Sequence, residues 1–182
     1  MGAVDTRPPI ATLISELAAR LGVPAFVGVC TDLMRGAPRG KYVEELRLLT
    51  GHDWHPGDGV LDAARWPDHW VRTWGARGLL HVWDDAATDA VVAGLADEHW
   101  RPAEMCLKVA TRHEVAGAGD GAAALTNHEL PRVRAQAVRT LGACGDTEHV
   151  ALVRAALDDP DEQVRRQAGR ALERLAARLD LA

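Results

Sequence analysis

Trp100 and Glu104 stand four residues apart, so a helix through them presents an indole and a carboxylate on one face. An indole can hold a flat ring by stacking, and a carboxylate beside it can supply charge or a proton. A denser set of indoles lies upstream in WPDHWVRTW (66–74), where Trp66, Trp70 and Trp74 follow at steps of four in a chain with one tyrosine and one phenylalanine. On a helix they share a stripe, which suits a core, a partner's surface or a ligand grip. His52 and His55 are three apart, but they sit among Gly and Pro without an H-E-x-x-H frame. The spacings of His69, His81, His99 and His113 do not converge on a helix face, and no metal site is expected. Cys30, Cys106 and Cys144 form no CxxC pair and are expected to be buried free thiols. The chain lacks a GxSxG elbow, and GAGDG (117–121) lacks the Lys-Ser/Thr of a phosphate loop. No cofactor is expected.

Composition narrows the partner class. A net charge of −5, a pI near 5.9, and only Lys41 and Lys108 as lysines give no electrostatic reason to expect nucleic acid or an anionic membrane. The remaining 19 of the 21 basic residues are arginines, and with the alanine excess they point to a high-GC bacterial genome. No apolar run reaches membrane-spanning length and no signal pattern opens the chain, so no membrane association is expected and the cytoplasm is the default compartment. The oligomeric state stays open.

The elements that must position these residues emerge from a repeat. VRAQAVRTL (133–141) and VRRQAGRAL (164–172) agree at six of nine places, and each matched pair is 31 apart. Stepping back 31 from Arg132, Ala137 and Arg139 reaches Arg101, Cys106 and Lys108, while Trp100 lies 30 after Trp70. A period near 30 over several units means stacked supersecondary modules. Each module reads as two helices. The first carries Val133, Ala137, Val138 and Leu141 on one face and is expected to break at Gly142 and Gly145. Asp146 or Thr147 can cap the second, Thr147 to Leu157, which should turn Val150, Val153 and Leu157 inward. DDPD (158–161) then starts the next module. Leu141 and Leu172 should be buried at equivalent positions. The recurring Arg134, Arg139, Arg165 and Arg170 should either bridge neighbouring modules or coat the outer face.

Upstream, PPIATLISELAARLG (8–22) reads as a helix framed by Pro and Gly with Ile10, Leu13, Ile14, Leu17 and Leu21 on one face. Segments near 24–35 and 41–50 are expected to behave likewise, ending at Gly36 and Gly51, with loops at APRG (37–40) and GHDWHPGDG (51–59). Trp66 is expected to staple the entrance of the helix after Pro67. Trp70 and Trp100, in the same slot of successive modules, are expected to be mostly buried packing between them, whereas Trp74 stays open because Gly75 and Gly78 should leave space beside it for a ligand or another helix.

The phrase D-D-P-x-x-x-V-R-x-x-A-x-x-A-L (158–172) resembles the short bacterial HEAT repeat, also called phycobilin-lyase-like HEAT. The resemblance implies an all-α, right-handed solenoid of stacked helical pairs. Residues 1–65 would be an N-terminal helical cap, followed by modules at about 66–95, 96–125, 126–157 and 158–182 in one continuous domain. It implies a non-catalytic adaptor or scaffold that offers its concave face to a protein partner, with Trp74, Trp100, Glu148 and Arg154 as candidate binding residues. Two other readings come from related families. The HEAT-like alkylpurine DNA glycosylases are similar in using tryptophans and a carboxylate on a damaged nucleotide, a role that would fall to Trp100 and Glu104. That family's acid is usually aspartate. The phycobilin-lyase likeness would allow an accessory subunit for a cofactor-modifying enzyme.

Overall fold

Pro8 and Pro9 at one end and Gly22 at the other frame α1, Ile10–Leu21. Gly22 takes φ 80 and ψ 147, a conformation open only to glycine. The chain thereby bends by 117° straight into α2, Val23–Met34, with no intervening loop. The structure, a computed structural model, describes residues 8–52, 59 and 62–180. All regular structure among them is helical, and no single helix is long and apolar enough to cross a membrane. Trp54 and His55 lie outside the described residues. The chain divides into two compact units between Ala87 and Thr88.

In the first unit, a 3-10 turn at Arg39–Tyr42, spanning the end of the expected loop (37–40) and the start of the expected helix (41–50), leads into α3, Val43–Thr50. The last α-helix of this unit is α4, Asp68–His81. Ile14 and Leu17 of α1 are fully buried, while Ile10, Leu13 and Leu21 sit at the edge of that face. Packing depth along α4 ranks the tryptophans and decides what the sequence leaves open for Trp74. Burial begins at Val71 and runs through Leu79, because α4 enters the middle of its unit and packs on α2, with α1 and α3 beside it. Trp74, one turn deeper than Trp70, is 3% exposed, whereas Trp70 and Trp66 are half-buried. Of the two occupants expected for the space beside Trp74, it is another helix, α2, that takes it. A Cβ on Gly75 would come within 2.6 Å of the Cys30 carbonyl oxygen, and one on Gly78 within 2.5 Å of Cys30 Sγ. The two glycines bring α4 hard against α2 rather than opening a pocket. Arg39, itself buried, fixes the entrance of α4 by donating to the Trp66 carbonyl at 2.6 Å and pairing with Asp68.

The second unit carries the repeat, and it is an all-α, HEAT-like stack of helical pairs. Its first helices are α6, Trp100–His113, α8, Pro131–Cys144, and α10, Glu162–Leu179. They alternate with the shorter α5, Thr88–Gly94, α7, Ala118–Ala124, and α9, Val150–Ala155. The 31-residue register is legible in the core: Pro102, Val133 and Val164 are buried in turn, as are Cys106, Ala137 and Ala168. It recurs in the turns before each long helix. There the side chains of Asp97, His128 and Asp159 accept from the backbone N–H two residues on, at 2.8, 3.0 and 2.8 Å.

Three expectations change here. Gly142 does not end α8, which runs on to Cys144. A Cβ on Gly142 would lie 2.9 Å from Ala171 Cα, so this glycine lets α8 and α10 touch. Leu157 is 40% exposed, because Ala156–Asp158 winds as a 3-10 turn that swings it off the face occupied by the fully buried Val153. Leu141 is fully buried between α8 and its neighbours, but its repeat partner Leu172 is only half-buried. The face of α10 that carries Leu172 receives no further helical pair among the described residues. The three thiols remain unpaired, and Cys30 and Cys106 are fully buried. Burial pushes the Cys106 thiol up to about 12 and the half-buried Cys144 to about 11, so both act as small apolar groups.

Candidate functional site

The long helices α6, α8 and α10 lie side by side in that order. Positions that repeat on their outer face therefore line up across the stack. Two arginine positions recur at 31 residues, and the structure separates their roles. Arg134 forks onto Asp159 at 2.8 and 2.8 Å and donates to the carbonyls of His128 and Glu129 at 3.0 and 3.1 Å. That pairing holds the Asp159 carboxyl below its usual range. Arg165 repeats the carbonyl contacts, at 2.7 and 2.9 Å to Asp159 and Pro160. Both clamp the turn that precedes their own helix. Arg139 and Arg170 differ. They are exposed, and among the described residues neither makes a hydrogen bond or an ion pair.

These two guanidiniums line a groove of about 250 Å³ between α8 and α10, floored by Gly142 and Ala171 and flanked by Gln167 and Arg174. The close contact of Gly142 with Ala171 makes the floor. Arg174 is engaged by Glu114 at 2.6 Å. A second cavity of about 380 Å³ continues the groove between α6 and α8 and shares Arg139 and Gln167 with the first. At its α6 end stands Glu104, 7% exposed. Arg132 donates to both of its oxygens at 2.9 Å, and the Lys108 ammonium lies 3.1 Å away. Gln136 is anchored by donating to Thr111 Oγ1 at 3.1 Å, on a buried hydroxyl pair with Thr140.

Trp100 lies beside this cluster, half-buried at the start of α6. The guanidiniums of Arg101 and Arg132 sit over its ring, 4.4 and 5.0 Å from the centroid, and His99 stacks on it at 5.8 Å. The structure thus joins Trp100 and Glu104 through Arg132. In that state the indole is covered by cations and the carboxylate is neutralised by two, which suits an anchor for neighbouring helices better than a grip on a flat base.

The other candidate residues go elsewhere. Trp74 is a core residue of the first unit, so its indole offers no free surface to a partner. Glu148, in the Thr147–His149 turn, and Arg154, on α9, are exposed and line neither part of the groove. Glu148 instead stands near Asp120 and His149, with their ligand-type atoms within 4.8 Å of one another. His149 is 5% exposed. Its Nδ1 accepts from the Asp146 N–H at 2.9 Å, which leaves Nε2 to carry the proton toward Asp120 Oδ1 at 3.2 Å. The ring is thereby committed to capping the Thr147–His149 turn and to tying it to α7. The sequence reading missed His149, whose only signal is its place three residues after the cap Asp146.

Residues 122–181 match the family model described as HEAT repeats, a span that begins within α7 and contains α8, α9 and α10. No curated protein and no solved structure matches the chain.

Proposed function

We propose that the chain is a non-catalytic adaptor and that the face formed by α6, α8 and α10 is its protein-binding surface. One observation supports this reading above the rest. Arg134 and Arg165 repeat because each holds a turn, whereas Arg139 and Arg170 repeat at the rim of a groove and make no hydrogen bond or ion pair among the described residues. Stacked helical pairs leave such outer positions free of the core, and repeat proteins use them to recognise other proteins. Gln163 and Gln167 line the same groove, and a carboxamide offers both a donor and an acceptor to a peptide backbone.

Affinity capture from the native cell extract tests it. The tagged chain should retain a defined protein partner, and Arg139→Ala with Arg170→Ala should release that partner without changing the thermal melt. A partner held equally well by the double variant would place binding on another face. Release of a methylated base from DNA, lost in Glu104→Gln, would replace the adaptor reading with that of a glycosylase.

A further inference from the structure

We propose that this groove takes an extended, acidic segment of a partner protein, with two carboxylates three residues apart seated on Arg139 and Arg170; the inference rests on the adaptor reading above. Four observations lead to it.

The first is spacing. Arg139 and Arg170 occupy the same register on adjacent packed helices, and packed helix axes lie about 8–10 Å apart. An extended chain of the polyproline II kind advances roughly 3.1 Å per residue with about three residues per turn, so residues three apart share a face. Crossing from one arginine to the next therefore takes about three residues, which selects Glu-x-x-Glu or its aspartate counterpart over adjacent acids.

The second is charge. Arg132 and Lys108 already share the one carboxylate of Glu104, and Arg174 pairs with Glu114. Arg139 and Arg170 remain as exposed guanidiniums without partners among the described residues. A guanidinium fork pairs best with a planar carboxylate, which it can engage through two parallel hydrogen bonds.

The third is the polar lining between them. Gln167 belongs to both parts of the groove and makes no hydrogen bond among the described residues. Its carboxamide can meet the N–H and C=O of a backbone passing overhead.

The fourth sets a peptide apart from nucleic acid. Two cations without partners among the described residues, beside a Glu104 cluster whose cations are already engaged and on a chain of net charge −5, are a poor match for a continuous phosphate track. Two spaced carboxylates need nothing more.

The test is fluorescence anisotropy at low ionic strength, using the full chain and a labelled peptide with two glutamates three positions apart. Controls are the same peptide with glutamines, one with adjacent glutamates, and an oligothymidylate. The spaced acidic peptide should bind at least about tenfold tighter than either peptide control, with affinity falling as salt rises. Arg139→Ala and Arg170→Ala should each weaken it by about tenfold, a loss of the size expected for one charge-assisted pair. Reversal of both charges, Arg139→Glu with Arg170→Glu, should switch preference to a peptide with lysines at the same spacing. Equal binding of the glutamate and glutamine peptides, or indifference to both arginine substitutions, would overturn the proposal. Tighter binding of the oligothymidylate would overturn it in favour of a nucleic-acid surface. A cellular partner that is released by Arg139→Ala but ignores the acidic peptide would sink this inference and leave the adaptor reading standing. A chain that binds the peptide but retains no cellular partner would remove the adaptor reading, and with it the partner segment, while leaving only the groove's preference for spaced carboxylates.

Discussion

Truncating Leu141 to alanine isolates how the repeat register turns into stability. Its side chain is fully buried in the last turns of α8, and its neighbours there are helices that cannot close in far. Removal therefore loses the transfer term for the deleted carbons and leaves a cavity, together about 3–5 kcal/mol for a rigid site. Leu172 occupies the same register 31 residues later but is half-buried. Its truncation loses less contact and opens its space to water, so about 1–2 kcal/mol is expected. In a unit of this size, each kcal/mol moves the melting temperature by roughly 4–8 °C. Leu141→Ala should thus lower Tm by well over 10 °C, and Leu172→Ala by clearly less. Urea denaturation with an unchanged slope gives the free energies directly. A Leu141→Ala loss below about 0.5 kcal/mol, or equal losses at the two leucines, would refute both the register and the burial gradient along the stack.

In the first unit, Trp74→Ala should cost about 3–5 kcal/mol by chemical denaturation and Trp70→Ala clearly less, following their burial; the opposite order would contradict the packing of α4. Gly75→Ala gains about 1 kcal/mol in helix propensity but drives a methyl into the Cys30 carbonyl, so a net loss of about 1–2 kcal/mol is expected, and a gain would show that α2 and α4 can separate. Asp159 titrates lower in the folded protein than unfolded because Arg134 holds its anion, so its contribution is present above the unfolded value near about 4 and is lost as pH falls through the folded one. Stability measured from neutral to strongly acid pH should therefore drop less steeply in Asp159→Asn than in the parent, and parallel curves would remove the pair from the account.

The second unit was legible in the sequence because its signals repeat. One 31-residue step links the buried Pro102, Val133 and Val164 and also the capping Asp97, His128 and Asp159. A spacing of four placed the three upstream tryptophans on one stripe, but a stripe carries no information about depth. Trp74 is core because Gly75 and Gly78 admit α2, and that contact joins residues more than forty positions apart. The repeat likewise could not separate Arg134 from Arg139, since both recur in phase; only the carbonyls around each side chain do so. Glu104 and Arg132 stand 28 apart, one module less one turn. Seen that way, the pairing had a signal, though single-helix spacing does not reveal it.

The most direct test of the α6, α8 and α10 face places a photoreactive phenylalanine analogue at one position of the chain in its native cells. Replacing Gln167, which lines both parts of the groove, should give a covalent adduct with one partner protein. Replacing the exposed Ala151 of α9 should give none. An adduct formed from Ala151 and not from Gln167 would contradict the account and move the functional surface to the layer of second helices.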